Sequence, residues 1–271
     1  MNKRLVKEGF KPSFIKALKA KYEDRHFLQV LELNVLLFLR KSDYHGIQVT
    51  GEAKERVRGF LKANKAALKK AEKNYRVSPP VIASLLWIES RHGQNTGQFH
   101  VPSVYLHLLQ APRPEVVAHL QRNAKQFTDH VTKKNRKDID KRTKTKSDWA
   151  LAELRALQTM FLRDKKALHE LRGSFSGAFG MPQFLPSSYV SYAKAFNSKR
   201  PADLTRPDDA IQSVANYLHK SGWKPGKKKT YSAALFRYNK STDYGNAILK
   251  LADLAEPPKQ RAPAAKAKSR R

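Results

Sequence analysis

The chain has 271 residues, 40% of them hydrophobic, which is enough to bury a core and excludes a fibrous or wholly disordered protein. It contains no cysteine, so disulfide frameworks, thiolate zinc sites and cysteine nucleophiles are excluded. With 54 Lys and Arg against 23 Asp and Glu, the formal net charge is +31, and any proposed function has to accommodate it.

The spacing of hydrophobic residues predicts helices along most of the chain, and the alternation typical of strands is scarce. A strongly apolar helix contains Phe27 and Leu37, and a more basic helix contains Phe60 and Leu68. A third begins at Ser78, a residue type common at N-caps, which two prolines follow. The sequence therefore predicts a mainly α protein. Further predicted helices span residues 148–171, 187–196 and 207–220.

Three segments interrupt this pattern. Residues 122–146 are rich in Lys and Arg, which predicts either a solvated helix face or a mobile insertion. Residues 173–182 are glycine-rich and lie between two predicted helices, so we expect a loop held close to another part of the molecule. Residues 257–271 are mostly Pro, Ala, Lys and Arg and are predicted to be disordered.

Neither a transmembrane segment nor an export signal is predicted. No apolar run approaches the roughly 20 residues that a membrane-spanning helix needs. The basic residues at the start of the chain are not followed by the apolar stretch of a signal peptide.

Glu89 is the first candidate for chemistry. At about 100° per residue in a helix, Glu89 falls between Leu85 and Leu86 and therefore projects from an apolar face. Loss of solvation there raises the pKa of a carboxyl group and makes it a candidate general acid. Helix geometry alone fits a buried structural glutamate equally well. Gly93 and the polar residues 94–98 favour a helix that ends at a cleft.

The glycine-rich segment is the second candidate. Gly173, Gly177 and Gly180 allow close backbone approach, and Gln183 with nearby serines offers hydrogen-bonding groups beside aromatic surface, which suits a sugar. A tight turn followed by a serine-capped helix is the alternative. The segment lacks the lysine of a phosphate loop, and Ser176 is one place off the nucleophile-elbow pattern.

Four segments of the chain, in order, resemble the membrane-bound lytic murein transglycosylase B family, and the match runs from about residue 30 to 254. The long central motif is highly specific. The segments are E-S-R-x-G at 89–93, G-S-F-x-G-A-x-G-x-x-Q-F-x-P-S-S-Y at 173–189, D-x-A-I-x-S-V-A-N-Y at 208–217 and R-Y-N-x-S-x-x-Y at 237–244.

This resemblance implies a goose-lysozyme-like helical catalytic core with additional packed helices. It implies cleavage of the β-1,4 bond between N-acetylmuramic acid and N-acetylglucosamine in peptidoglycan. Glu89 would be the sole catalytic carboxylate, protonating the departing oxygen and then, as a base, helping the muramyl C6 hydroxyl to attack its own C1. The product would be a 1,6-anhydromuramyl end.

The resemblance also assigns residues that would line the glycan cleft. Ser174 and Asn239 would contact the reacting muramyl sugar, and Met181 and Phe184 would supply apolar walls. From the residues alone, the segment 237–239 also fits a core tyrosine followed by a capping asparagine. The remaining cleft residues would be Gln183, Tyr238 and Tyr244.

Hydrolysis of the same bond, as by a muramidase, is the alternative reaction. Ordinary glycosidases need a second carboxylate, whereas an intramolecular hydroxyl removes that need. Asp208 and Asp209 fit the first turn of a helix, where they complement its dipole. Asp243, inside the last motif, keeps hydrolysis open.

We predict no metal and no other cofactor. Some members of the family carry an acidic, calcium-binding loop, but the corresponding residues 197–203 are basic and short here. The histidines show no zinc-site spacing. Those considered, five of the nine in the chain, are His92, His100, His107, His130 and His169.

The positive charge suggests two kinds of partner. Nucleic-acid binding is an alternative function, but the basic clusters are scattered and match no recognised motif. Binding to peptidoglycan glycan strands and anionic envelope polymers is enough to account for the positive charge. Such partners would place the protein in the periplasm or outside the cell. A wall-binding module without activity is a third possibility. The oligomeric state stays open.

We expect three parts in the chain. Residues 1–76 would form an N-terminal helical segment packed on the core, and 77–256 the lysozyme-like core with a basic helical insertion near 110–170. Residues 257–271 would be the disordered tail.

Overall fold

A computed structural model describes residues 2–40, 49–165, 168 and 170–256. Helices dominate this part of the chain, as predicted, and no helix in it is long and apolar enough to cross a membrane. The predicted disordered tail and His169 lie outside the described residues. The helices are α1 (Asn2–Lys7), α2 (Pro12–Ala20), α3 (Phe27–Leu36), α4 (Gly51–Ala63), α5 (Lys65–Tyr75), α6 (Pro79–Ser90), α7 (Val101–Leu108), α8 (Pro114–Asn123), α9 (Lys133–Arg163), α10 (Pro186–Tyr192), α11 (Pro207–Lys220), α12 (Lys228–Tyr238) and α13 (Thr242–Ala255).

Short irregular elements join these helices. Single turns of 3₁₀ helix follow α3 at Leu37–Leu39 and α8 at Ala124–Gln126. Two strands of two residues each, β1 (Phe99–His100) and β2 (Arg172–Gly173), pair antiparallel, with Phe99 opposite Gly173.

Several helix boundaries follow from capping. Helix α6 begins directly after Ser78, as predicted, although the Ser78 side chain accepts no hydrogen bond there. Helix α9 begins after Thr132, whose hydroxyl accepts from the Asn135 amide while the Asn135 side chain accepts from the Thr132 amide. Helix α11 has the predicted bounds, with Pro207 in its first turn.

Three predicted helices were wrong in extent. The basic helix around Phe60 and Leu68 is two helices, because α4 ends at Ala63 and α5 begins at Lys65, with Asn64 capping both. The helix predicted at 148–171 is α9, which begins at Lys133. The charged first half of α9 is solvated, and Ile139 is buried on its opposite face. The interpretation of residues 122–146 as a solvated helix face therefore holds for the first half of α9.

The ends of α9 and α10 have local causes. Helix α9 ends at Arg163, and the backbone of Asp164 is extended. The chain then reaches β2, where Arg172 forms a bidentate ion pair with Glu23. Helix α10 stops at Tyr192, short of the predicted 196. The next backbone amides bind side chains of α11 instead, because Lys194 donates to Ser213 and Phe196 to Asp209.

The hydrophobic core consists of two clusters. One joins α1–α3 to α7–α9, and the other joins α4–α6 to α11–α13. Residues 1–76 therefore contribute to both clusters, and the division at residue 76 stays a prediction. The loop that follows β2 links the clusters, since Phe179 and Phe184 pack in the first and Met181 in the second.

Candidate active site

Glu89 lies in the last turn of α6, a helix that is buried on nearly all sides. The side chain is partly buried, and its Oε1 accepts a hydrogen bond from the Tyr244 hydroxyl. Burial raises the pKa of Glu89 to about 7, and the hydrogen bond from Tyr244 opposes that rise. A carboxyl group in this state holds its proton close to neutral pH.

The end of α6 is joined to the glycine-rich loop. After Ser90 the chain leaves the helix through Arg91 and His92, both with positive φ, and then Gly93. The Ser90 hydroxyl donates to the Met181 carbonyl at 2.6 Å and accepts from the Gly93 amide at 2.9 Å. These two bonds hold the loop against the residues that directly follow Glu89.

The glycines of the loop are required by close backbone approach. A Cβ on Gly173 would lie 2.2 Å from the Ala178 carbonyl oxygen, and one on Gly177 would lie 2.4 Å from the Tyr105 hydroxyl. A Cβ on Gly97, in the loop after α6, would lie 2.2 Å from the Gly173 carbonyl oxygen. The expectation of a loop held close to another part of the molecule is confirmed.

Asn34 on α3 holds the far side of this loop and was missed by the sequence analysis. Its side-chain amide donates to the Phe175 carbonyl at 2.8 Å, and its Oδ1 accepts from the Ser176 hydroxyl at 3.1 Å. Tyr105 adds a hydrogen bond to the Gly177 carbonyl at 3.1 Å. The available signal was a single asparagine on the buried face of a helix rich in apolar residues.

The structure places Ser174 and Gln183 at the two ends of the loop. The Ser174 hydroxyl oxygen accepts from the Ser176 amide at 3.3 Å and the Ala178 amide at 3.2 Å, which leaves its O–H free to donate. Gln183 has a φ of +50°, and its amide nitrogen donates to the carbonyls of Thr96 and Gly180 at 3.1 and 2.9 Å. Its Oε1 has no partner among the described residues.

The two predicted tyrosines lie close to Glu89. The rings of Tyr238 and Tyr244 stack with centroids 6.3 Å apart, and Tyr238 donates to the Pro182 carbonyl at 2.6 Å. Burial, together with the nearby charge of Glu89, raises the pKa of both hydroxyls well above the usual range. Both groups therefore stay protonated donors.

The remaining predicted cleft residues occupy different environments. Asn239 is exposed just after α12, and its carbonyl accepts from the Ser241 amide at 2.7 Å. Met181 and Phe184 are 3% and 2% exposed, and Phe184 packs against the rings of Tyr217 and Tyr238. Both apolar side chains thus support the site from beneath, and direct contact with sugar stays a prediction.

Acidic groups other than Glu89 are engaged elsewhere or exposed. Asp243 is exposed in the first turn of α13. Asp208 pairs with Arg206, and the buried Asp209 pairs with Arg200, which lies in the stretch predicted not to bind calcium. Within the described part of the chain, no group of three or more His, Asp or Glu is placed to hold a metal ion.

Comparison with known proteins identifies the family. The model of the transglycosylase SLT domain family matches residues 1–236. The chain belongs to the transglycosylase SLT domain family. The resemblance inferred from the four motifs is thereby confirmed.

Similar proteins agree with this family and with the fold. The membrane-bound lytic murein transglycosylase B of Escherichia coli K12 is 29% identical over 160 residues, which cover 59% of this chain and 36% of that protein. The chain thus matches just over a third of the length of this relative. The soluble lytic transglycosylase SltB1 of Pseudomonas aeruginosa superposes with a TM-score of 0.71 at 19% identity, covering 93% of this chain and 96% of that one.

Two further solved structures were determined with ligands. Escherichia coli Slt35 in complex with bulgecin A superposes with a TM-score of 0.68 at 20% identity, over 94% of this chain and 90% of that one. Pseudomonas aeruginosa SltB3 in complex with NAG-NAM-pentapeptide superposes with a TM-score of 0.68 at 16% identity, over 94% of this chain and 77% of that one. The predicted mainly α fold of a lysozyme-like lytic transglycosylase is confirmed by these superpositions.

Proposed function

We propose that this chain is a lytic transglycosylase of peptidoglycan, which cleaves the β-1,4 bond from N-acetylmuramic acid to N-acetylglucosamine. The observation that carries the proposal is Glu89, whose pKa of about 7 results from burial at the end of α6 beside the glycine-rich loop. Membership of the transglycosylase SLT domain family supports the same reaction class.

Glu89 acts first as the acid. Tyr244 donates to Oε1, so Oε2 is the oxygen that carries the proton toward the substrate. Transfer of this proton to the glycosidic oxygen lets the N-acetylglucosamine leave and generates positive charge at C1 of the muramyl residue. Glu89 is then an ionised base with the Tyr244 hydrogen bond stabilising its charge.

Glu89 acts next as the base. The C6 hydroxyl of the muramyl residue attacks C1 while its proton passes to Glu89, which closes the 1,6-anhydro ring and restores the protonated carboxyl group. Because nucleophile and electrophile belong to one sugar, no second carboxylate is needed to activate water. Asp243 is exposed in the first turn of α13, and Asp208 and Asp209 are paired with arginines, which favours this route over hydrolysis.

Mass spectrometry of digested sacculi tests the reaction. The wild-type protein should release muropeptides with 1,6-anhydro ends, whereas reducing ends would show a muramidase. Glu89→Gln should lower the rate by about 100- to 10,000-fold, the range for loss of a general acid. Full activity of Glu89→Gln would refute the assignment of the proton donor.

Glu153→Gln is the matched control. Glu153 is also a buried glutamate with a raised pKa, but it accepts from the Ser187 amide and hydroxyl at the start of α10, away from the residues around Glu89. A glutamine keeps one oxygen to accept from the Ser187 amide, and its NH₂ group can donate to the Ser187 hydroxyl oxygen, so this variant should keep its activity.

The proposed substrate also sets the location and the partners. Peptidoglycan lies in the periplasm or on the outside of the cell, so we place the activity there. The net charge of +31 would hold the protein on the carboxylates of the wall and on anionic envelope polymers.

A further inference from the structure

Three polar side chains meet where α3 packs against α8. The Nε2 atom of His119 and the Nδ2 atom of Asn123 each lie 2.7 Å from Oε1 of Glu32, and they lie 3.0 Å from each other. His119 and Asn123 are one turn apart on α8, and Glu32 belongs to α3. The three atoms therefore form a nearly equilateral triangle, and we call these residues the α3–α8 triad.

Hydrogen bonding alone does not satisfy all three contacts of the triad. If His119 carries a proton on Nε2, it donates to Glu32, but its contact with the Asn123 amide nitrogen then brings two donors together. If Nε2 carries no proton, it accepts from Asn123, but its lone pair then faces the Glu32 carboxylate oxygen. Either arrangement leaves one of the three contacts repulsive.

A metal ion bound to the triad removes this conflict. A neutral imidazole nitrogen and a carboxylate oxygen are ordinary ligands of divalent transition metals. The amide of Asn123 supplies a third ligand when it is turned by 180°, since its oxygen and nitrogen occupy equivalent positions. At metal–ligand distances of about 2.1 Å, adjacent ligands of an octahedral ion lie about 3.0 Å apart, close to the separations within the triad.

The triad combines rigid placement with access to solvent. Leu31 and Leu120, the sequence neighbours of Glu32 and His119, are fully buried in one core cluster, so both helices are held in place. The side chains of Glu32 and His119 are still 20% and 22% exposed, which lets water complete the coordination of an ion. Nδ1 of His119 has no partner among the described residues to orient the ring, so we expect an affinity in the micromolar range.

We propose that the α3–α8 triad binds a divalent transition metal of the nickel and zinc class. The ion would fix α3 to α8, and α3 is the helix whose Asn34 holds the glycine-rich loop. The histidine spacing from which no metal was predicted does not detect this site, because Glu32 and His119 are 87 positions apart. Calcium and magnesium fit less well, since both prefer oxygen ligands alone. At micromolar affinity, the protein prepared without added metal would hold none.

Calorimetric titration with Ni²⁺ tests the site directly. The full chain without a histidine tag would be dialysed against EDTA and then against buffer. We expect binding of one ion and a melting temperature that rises with added Ni²⁺. Glu32→Gln and His119→Gln should each weaken binding about tenfold or more, with unchanged circular dichroism. His130→Gln, which alters an exposed histidine before α9, is the matched control and should leave the affinity unchanged.

Asn123→Asp separates a metal site from a purely structural network. A carboxylate binds such ions more strongly than an amide oxygen, so the affinity for Ni²⁺ should rise about tenfold. In the metal-free protein the added charge lies beside Glu32, so the same variant should have a lower melting temperature. A network that binds no metal predicts only this loss of stability.

Three results would overturn the proposal. Absence of binding to the wild-type protein at about 1 mM Ni²⁺ would remove the site. Unchanged affinity in Glu32→Gln or His119→Gln, or an equal loss in His130→Gln, would show that other histidines bind the ion. Unchanged or weaker binding by Asn123→Asp would exclude Asn123 as a ligand. None of these measurements depends on cleavage of peptidoglycan, so the proposed function is tested separately.

Discussion

The ionisation of Glu89 depends on two neighbouring influences with opposite effects. Burial favours the neutral carboxyl group, whereas the Tyr244 hydroxyl stabilises the carboxylate. In Tyr244→Phe only the first effect remains, so the pKa of Glu89 should rise further. The alkaline limb of the pH–rate profile should move up by about one pH unit, the size expected for one hydrogen bond to a charged group.

Tyr238→Phe provides the comparison for that profile. The Tyr238 hydroxyl donates to the Pro182 carbonyl and not to Glu89, so its removal should leave the alkaline limb in place even if the rate falls. A profile for Tyr244→Phe that is unshifted, or shifted to lower pH, would contradict the role given to Tyr244.

The sequence predicted the burial and the raised pKa of Glu89 because the relevant information is local. Helical geometry places its side chain among Leu85, Leu86 and Ile82, and a buried helix produces the raised pKa from those neighbours. The contact with Tyr244 joins residues 155 positions apart, which no spacing rule reaches. That residue came only from the family resemblance, and Asn34, which the motifs do not include, was missed.

At the scale of elements, α3 fixes the conformation of the glycine-rich loop through Asn34. This side chain is 3% exposed and bonds to the Val30 carbonyl as well as to Phe175 and Ser176 of the loop region. Asn34→Ala should cost about 1–3 kcal/mol of stability by leaving buried partners unpaired. It should also accelerate amide hydrogen exchange at residues 174–178, measured by mass spectrometry, and lower activity.

Gln212→Ala separates loop positioning from general stability. Gln212 is 2% exposed, and its amide nitrogen donates at 2.8 Å to the Ala67 carbonyl, which pins α11 to α5 away from the loop. We expect a comparable loss of stability with unchanged exchange at 174–178. If Asn34→Ala leaves exchange in the loop at the wild-type rate, Asn34 is only a core residue.

The connection from α10 to α11 is held by an ion pair between Arg200 and Asp209. Asp209 is fully buried and accepts from the amides of Phe196 and Asp203, and the Arg200 guanidinium binds both of its oxygens. Arg200→Ala leaves the buried Asp209 carboxylate without its cation and should therefore lower the melting temperature.

A chelator tests the accompanying prediction that this connection needs no metal. The melting temperature should be the same with and without EDTA, and Arg200→Lys should restore part of the stability lost in Arg200→Ala. A melting temperature that falls in EDTA would show a bound cation and contradict the prediction for residues 197–203.

Helix boundaries were predictable where caps or prolines determine them, as at α6 and α11. They were not predictable at the end of α10, where the buried Asp209 and Ser213 of α11 bind the backbone amides that a longer helix would have used. A hydrophobic pattern specifies which face is buried but not which side chain of another element competes for the backbone.

At the scale of the whole molecule, the sequence did not predict which helices pack against one another. Helices α4 and α5 pack with α6 and with α11–α13, whereas α1–α3 pack with α7–α9. An apolar stripe shows which face of a helix is buried but gives no preference between partners. The candidate site lies where the two clusters meet, because the loop after β2 contributes side chains to each.

The stability of the whole molecule should fall in acid because of two buried histidines. Burial lowers the pKa of His92 and His107 to about 4, so between pH 6.5 and 4 the unfolded chain binds more protons than the folded one. Glu89 acts in the opposite sense between pH 4.5 and 7, because its pKa is raised to about 7. For these three groups together, the loss of unfolding free energy from pH 7 to 4 should be on the order of 3 kcal/mol.

Urea unfolding at a series of pH values measures this loss, and His92→Asn isolates one contribution. Asparagine tolerates the φ of +55° at this position, so the variant removes the titrating ring without imposing backbone strain. The stacking of His92 on Phe60 is lost at every pH, which lowers stability by a constant amount. The slope of stability against pH between 6.5 and 4 should therefore be shallower than in the wild-type protein, and a parallel curve would show that His92 is protonated in the folded state.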